Sequence, residues 1–219
     1  MLDTLERIVA DLSELDGGAE LDRARAAFHE QTGEFDVADS WYEERIAFFF
    51  DWFLCDFGGA ARWLDVKVDV DEAARQIARA CTRSARSLYR VRSIEDGVLL
   101  DDRLGGARFA LDDRTAARLT VGDVFDGRLL VVDTIALAPG IIFHAPETHE
   151  ALDEIVESLT PFDGERAPVL DGLLRMRMRL DRFTSIRARH IYRREALDER
   201  DILSAAWARK HRDPEELPG

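Results

Sequence analysis

Residues 41–57 read WYEERIAFFFDWFLCDF and carry eight of the nineteen Phe, Trp and Tyr residues of this 219-residue chain. At helical spacing Trp41, Phe48, Trp52 and Cys55 form one stripe, and Tyr42, Ile46, Phe49, Phe53 and Phe57 form a second. Together they cover more than half of a helix circumference, so the spacing predicts a helix buried on several sides. Each buried aromatic removes on the order of 150–250 Å² from water, which makes this segment the expected packing centre of the fold.

The flanks also read as helices. Leu2, Leu5, Ile8, Val9, Leu12 and Leu15 follow i, i+3, i+4 spacing, and Gly17–Gly18 supplies a stop. Ala19 to about Gln31 continues, with Leu21, Ala24, Ala27 and Phe28 on one face. Asp39 or Ser40 is positioned to cap the aromatic helix, and Glu43 adds an acid to its first turn, where the helix dipole favours one. Gly58–Gly59 ends it. Asp69 or Asp71 then starts a further helix with Ala74, Ile77, Ala78 and Cys81 inward.

Near Ser87 the period shortens to that of strands. Leu88–Ile94, Val98–Leu100, Arg108–Leu111, Val124–Val132, Thr134–Leu137 and Ile141–His144 are short β-type runs. Asp96–Gly97 and Gly105–Gly106 divide them, and Pro139–Gly140 reads as a tight turn. Such strands close most economically as a small five- or six-stranded antiparallel β-barrel. Thr148 begins a closing helix with Leu152, Ile155, Val156 and Leu159; residues 160–168 read as a linker. Leu170 to about Arg194 is a long candidate helix, and Leu197 to Arg212 a further amphipathic piece carrying Trp207. The expected fold class is therefore α+β: a helical region over 1–86, the small barrel and closing helix over 87–159, and a C-terminal helical extension over 169–212.

No apolar run approaches the roughly 18 residues of a membrane span, since Asp51 and Asp56 interrupt the most aromatic stretch. The acidic, amphipathic N-terminus differs from the basic start and apolar centre of a signal peptide, so a cytoplasmic location and no membrane partner are expected. Cys55 and Cys81 are two isolated thiols, too few for a disulfide framework or zinc site, and read as small buried hydrophobes. The net charge of −14 disfavours non-specific binding to nucleic acid. That charge is unevenly spread: residues 1–80 carry nineteen acids against eight Lys or Arg, whereas residues 175–194 carry eight Arg and one Asp.

Phe49, Asp51, Trp52, Phe53 and Asp56 follow the pattern Phe-x-Glu/Asp-Trp-Phe-x-x-Asp. Ser87, Tyr89, Val91, Asp96–Gly97 and Asp101 then follow a Ser-x-Tyr-x-Val strand and its hairpin, and Gly122, Asp123, Gly127, Arg128 and Leu129 a later Gly-Asp and Gly-Arg-Leu. In this order residues 41–158 resemble an uncharacterised bacterial family whose members often carry a SEC-C zinc motif. The resemblance implies a helix-plus-small-barrel layout and no particular activity. Two features of that family are missing: the small-Lys-Thr segment after the aromatic helix, where Gly59–Ala60–Ala61–Arg62–Trp63 stands instead, and the SEC-C cysteines with any metal-dependent adaptor role they confer.

Catalytic constellations are not evident. His144 and His149 lack the spacing that puts two imidazoles on one helix face, and strand-end and helix-cap roles are expected for them. Asp51 and Asp56 flank Trp52 and are expected to pair with Arg45 or Arg62 rather than to act in acid–base chemistry. No nucleophile elbow, P-loop or dinucleotide fingerprint is present. The expectation is a non-enzymatic protein that binds another protein, with no cofactor, no catalytic residues and no metal site. Arg175, Arg179, Arg182, Phe183, Arg189 and Trp207 are the candidate partner-binding residues. On one helix face the arginines could meet phosphates, which makes nucleic-acid binding through Arg175–Arg194 the alternative. The favoured expectation for these arginines is that they neutralise the chain's own acidic N-terminal helices. A hydrolase using Asp51 or His144 is a distant third.

Overall fold

The computed structural model describes residues 1–39, 41–111 and 118–200. Five helices come first: α1 (Leu2–Asp16), α2 (Ala19–Thr32), α3 (Tyr42–Cys55), α4 (Gly59–Val66) and α5 (Glu72–Arg83). Six strands follow: β1 (Arg86–Ser93), β2 (Val98–Asp102), β3 (Arg108–Leu111), β4 (Val124–Val131), β5 (Ile135–Leu137) and β6 (Ile142–His144). Helices α6 (His149–Ser158), α7 (Arg166–Arg182) and the short α8 (Ala188–Ile191) close the described chain. The fold is α+β, and none of the described helices is long and apolar enough to cross a membrane.

The aromatic helix α3 is an internal pillar. Phe49, Phe53 and Leu54 are within 1 % of full burial, and Trp52 is 6 % exposed. Phe28 of α2 packs into this cluster, its ring centroid 5.5 Å from Phe49 and 5.3 Å from Trp52. The expected cap at Asp39 is not formed. Trp41 is the N-cap, with no side-chain hydrogen bond, because the Asp39 carboxylate is taken by Arg182 and the Asp36 N–H. Gly58–Gly59 does more than stop α3. Gly58 at φ 96° turns the chain and Gly59 starts α4 at once, close against the Phe53 carbonyl. This helix lies where the glycine pair is expected to end α3 and no helix to follow before Asp69; α4 buries Trp63 completely and its indole N–H donates to Asp11 of α1 at 2.8 Å. Asp71 caps α5 as expected, accepting from the Ala74 N–H at 2.7 Å.

The strands form one antiparallel sheet in the order β3-β2-β1-β4-β5, with β6 also on β4. It curls into a half-barrel that brings β3 and β5 near each other without pairing them. Tyr89, Val91, Leu100, Phe125 and Leu129 fill the concave side, while Leu88 and Val124, one residue out of phase, pack with α6 and α7 on the other. Pro139–Gly140 is not a hairpin turn. Both β5 and β6 pair with β4, Leu137 opposite Leu129 and Ile142 opposite Asp126, so four edge residues stand against two on β4. With two residues in excess, the Ala138–Ile141 segment bulges from the sheet and presses Gly140 onto α3.

Helix α7 is shorter than expected. It begins at Arg166, within the supposed linker, with Pro168 in its first turn where no N–H is needed, and it ends at Arg182. Phe183 leaves helical geometry at φ −130°, ψ 70°, ahead of Thr184 and Ser185, whose side chains compete for backbone hydrogen bonds.

Candidate functional site

The candidate partner-binding arginines go to several different places. Arg175 is buried and donates to the main-chain oxygens of Leu197 (2.7 Å), Glu199 (3.3 Å) and Gln31. Arg179 is fully buried, its guanidinium 3.4 Å from the centroid of the Phe183 ring, and burial pushes its pKa down to about 10. Arg182 lies at the surface but holds Asp39 at 2.9 Å and the Glu34 carbonyl at 2.5 Å. Phe183 is half-buried beneath Arg179, and Arg189 is exposed on α8 beside Arg193 and Arg194. Trp207 lies outside the described residues. The Arg175, Arg179 and Arg182 face of α7 is thus turned toward α2 and the segment after it, where the chain's own carbonyls and Asp39 receive it.

Both flanking carboxylates of Trp52 find partners other than those expected. Arg45 is buried inside an aromatic cage, 5.0 Å from the Phe28 ring, 4.7 Å from Phe35 and 5.6 Å from Trp41, and donates to Thr32 Oγ1 and the Gly33 carbonyl. Burial there pushes its pKa down to about 9. Arg62 pairs with Glu20. Asp56 instead meets Arg128 of β4, and Asp51 Oδ2 accepts the Gly140 N–H at 2.6 Å from the sheet bulge. His144, at the end of β6, is sealed in the interior with Nδ1 3.0 Å from the Tyr192 hydroxyl. Burial pushes its pKa down to about 3, so its imidazole is neutral. His149 Nε2 sits 3.1 Å from the His144 carbonyl at the start of α6.

A further opening lies on the side of α3 that carries Ile46, Phe50 and Leu54. It is a groove of about 600 Å³ between α1, α2 and α3, within the range of ligand sites generally. Leu5 and Val9 of α1, Leu21 of α2, and Ile46, Phe50 and Leu54 of α3 form its apolar walls. Leu2, 51 % exposed, stands at its edge. Its lining sets the carboxylates of Glu6 and Glu43 against Arg118, with the Asp51 carboxyl beside them, so the groove is acidic on balance.

Asp51 is the unusual group in that lining. Burial raises its carboxyl pKa to about 7, against the opposing pull of the Gly140 N–H and Arg128. Because this value lies above the unfolded 3.8, the folded chain keeps a proton between about pH 4 and 7 that the unfolded chain releases. Asp51 therefore costs stability as pH rises through that window. The variant Asp51→Asn keeps an acceptor for Gly140 and loses the titration. It is expected to gain on the order of 2–4 kcal/mol over the wild type at pH 8 and close to nothing at pH 4, read by urea denaturation at both pH values. An equal difference at the two pH values would contradict the assignment.

Chemically the groove can bind but offers little to a reaction. A lone carboxyl supplies one proton-transfer group, and among the described residues no second titratable group faces it across the cavity apart from the rim acids Glu6 and Glu43. The groove was missed in the sequence because Ile46 and Phe50 have the same helical spacing as core residues. Compared with protein-family models, with curated proteins and with solved structures, the chain matches none.

Proposed function

We propose that this is a non-enzymatic binding protein of the cytoplasm, which docks an apolar, basic helical segment of a partner protein in the α1–α3 groove. The observation that carries this reading is the pairing of apolar walls with an acidic lining: Leu5, Val9, Leu21, Ile46 and Phe50 offer the contact, and Glu6 and Glu43 choose its charge. An amphipathic helix laid in an apolar groove is a general mode of peptide recognition, with anchors at i, i+3, i+4 and i+7.

The alternative, nucleic-acid binding from Arg175–Arg194, draws less support. Arg175, Arg179 and Arg182 are turned to the chain's own groups, which leaves mainly Arg189 and its neighbours for phosphate.

A labelled sixteen-residue Leu/Lys amphipathic peptide is the direct probe, with a Leu/Glu peptide of the same pattern as control. The Leu/Lys peptide is expected to bind with micromolar affinity and the Leu/Glu peptide at least tenfold more weakly. Phe50→Asp makes the groove more acidic but removes an apolar wall, so it is expected to abolish binding while the melting temperature shows the fold intact. Non-specific attraction to an acidic protein would instead leave or strengthen the binding, and that result would reject the proposal. Single-stranded DNA that binds with a steep salt dependence, lost on replacing Arg189, Arg193 and Arg194, would favour the alternative.

A further inference from the structure

A cavity of about 250 Å³ lies between β3 and β5, where the half-barrel leaves its sheet unclosed. Tyr89 of β1, Phe109 of β3, Leu129 and Val131 of β4 and Ile135 of β5 line it. The Tyr89 and Phe109 rings meet edge-on, their centroids 6.2 Å apart. Val131 is 65 % exposed, so an occupant here would cover apolar surface that the fold leaves in water. Two cations stand on the same cavity: Arg83, the last residue of α5, and Arg166, the first of α7.

Arg83 is exposed and has no ion-pair or hydrogen-bond partner among the described residues. Arg166 has one: its Nη1 donates to Asp102 Oδ2 at 3.2 Å. Asp102 is buried and firmly held, its Oδ1 accepting from the Ser87 hydroxyl at 2.5 Å and from the Leu104 and Gly105 N–H groups at 3.1 and 2.8 Å. It therefore anchors Arg166 rather than the reverse. Gly105 makes room for the pair, since a Cβ there would run into Arg166 Nη2 and Asp102 Oδ2. So placed, the Arg166 guanidinium keeps Nε and Nη2 without an acceptor among the described residues. Tyr89 is 3 % exposed, and its hydroxyl makes no hydrogen bond to any described residue. Burial pushes the Tyr89 pKa up, so that hydroxyl stays a donor at neutral pH. Two arginines against one anchored carboxylate leave the cavity with one positive charge in excess and donors to spare.

We propose that this cavity binds a small monocarboxylate, with its apolar body against Tyr89, Phe109, Leu129, Val131 and Ile135 and its carboxylate on Arg83 and Arg166. The site shares no lining residue with the α1–α3 groove and does not depend on what docks there. One excess positive charge matches one carboxylate. A neutral ligand would displace water from two guanidiniums without replacing it, and a second carboxylate on the ligand would be pressed against apolar walls. The volume lies below the roughly 300–1,000 Å³ of sites for drug-sized ligands, which limits the body to a short chain or a single ring.

The probe is hexanoate, titrated into the full chain at pH 7 and followed by NMR amide shifts, with hexan-1-ol and hexylamine as controls of the same chain length. Hexanoate is expected to bind with a dissociation constant of about 1 mM or below, and each control about tenfold more weakly or not at all. Shift changes should centre on residues 83–85, 105–109 and 129–135. Arg83→Gln alters an exposed, unpaired side chain, so the melting temperature should hold while hexanoate binding weakens about tenfold. Ile135→Trp fills the cavity and should abolish binding. No hexanoate binding at about 20 mM, equal affinity for hexan-1-ol, shifts centred on the α1–α3 groove, or an Arg83→Gln variant that binds like the wild type would each overturn the assignment. The wild-type comparison of hexanoate with hexan-1-ol decides the matter even if Ile135→Trp fails to fold.

Discussion

Gly140→Ala is expected to destabilise the protein by more than about 3 kcal/mol, at or beyond the top of the usual range for overpacking. A Cβ at this position would lie 2.5 Å from the Phe48 Cα, 2.7 Å from its nitrogen and 2.8 Å from the Ala47 carbonyl oxygen. All three are backbone atoms of α3, so no side chain can rotate away and the bulge itself must retreat from the helix. Retreat also loosens the hydrogen bond from the Gly140 N–H to Asp51, leaving a buried carboxyl without its donor. Urea denaturation checks this. A loss below about 1 kcal/mol would mean that the Ala138–Ile141 bulge does not seat against α3 as described.

Replacing Arg86 with Met is expected to cost about 3–5 kcal/mol, the usual penalty for stranding buried charge. Arg86, on β1, donates from Nε and Nη2 to Asp126 of β4 at 2.8 and 2.5 Å, and from Nη1 to Asp171 of α7 at 2.5 Å. Its guanidinium also lies 4.8 Å from the Phe48 ring centroid, so one side chain ties the sheet to α7 and to the aromatic pillar. Burial works against the charged guanidinium, but the two carboxylates outweigh it and hold it protonated. Burial likewise pushes the Asp126 carboxyl up, with Arg86 pulling against it. Met keeps the volume and the contact with Phe48 but leaves two carboxyls facing each other in the interior. Adding Asp126→Asn to Arg86→Met should restore part of the loss, because one of the stranded charges is then gone. Denaturation of the single and double variants measures both steps, and a harmless single variant would contradict the account.

Apolar periodicity carried most of the fold into view before any coordinates. The stripes through Phe49, Trp52 and Phe53, the switch to period two at Ser87 and the Asp71 cap all follow from local rules, and each element formed where those rules apply. What periodicity cannot express is the partner of a polar group. Asp51 and Arg45, one and a half turns apart on the same helix, were natural partners in the sequence, yet Asp51 meets a backbone N–H from residue 140 and Arg45 an aromatic cage built from α2 and the loop after it. Helix α4 was hidden because two adjacent glycines read as an end, when Gly58 only turns the chain before Gly59 restarts it. The bulge was hidden because Pro139–Gly140 is chemically a turn, and only pairing of both neighbours with β4 makes it a protrusion. The arginine cluster was visible as charge, but burial decides what charge does, and Arg175 and Arg179 are inside. The groove depends on how α1 and α2 lie against α3, which composition and spacing leave open.

Helix α3 is a buried pillar that borders the α1–α3 groove, and the proposed function has a partner dock in that groove. Hydrogen–deuterium exchange of the full chain, free and saturated with the Leu/Lys peptide, tests it most directly. The account predicts added protection in α1 and across residues 43–54, with α8 and residues 187–197 unchanged. Protection confined to residues 187–197, with α1 and α3 exchanging as in the free chain, would contradict it.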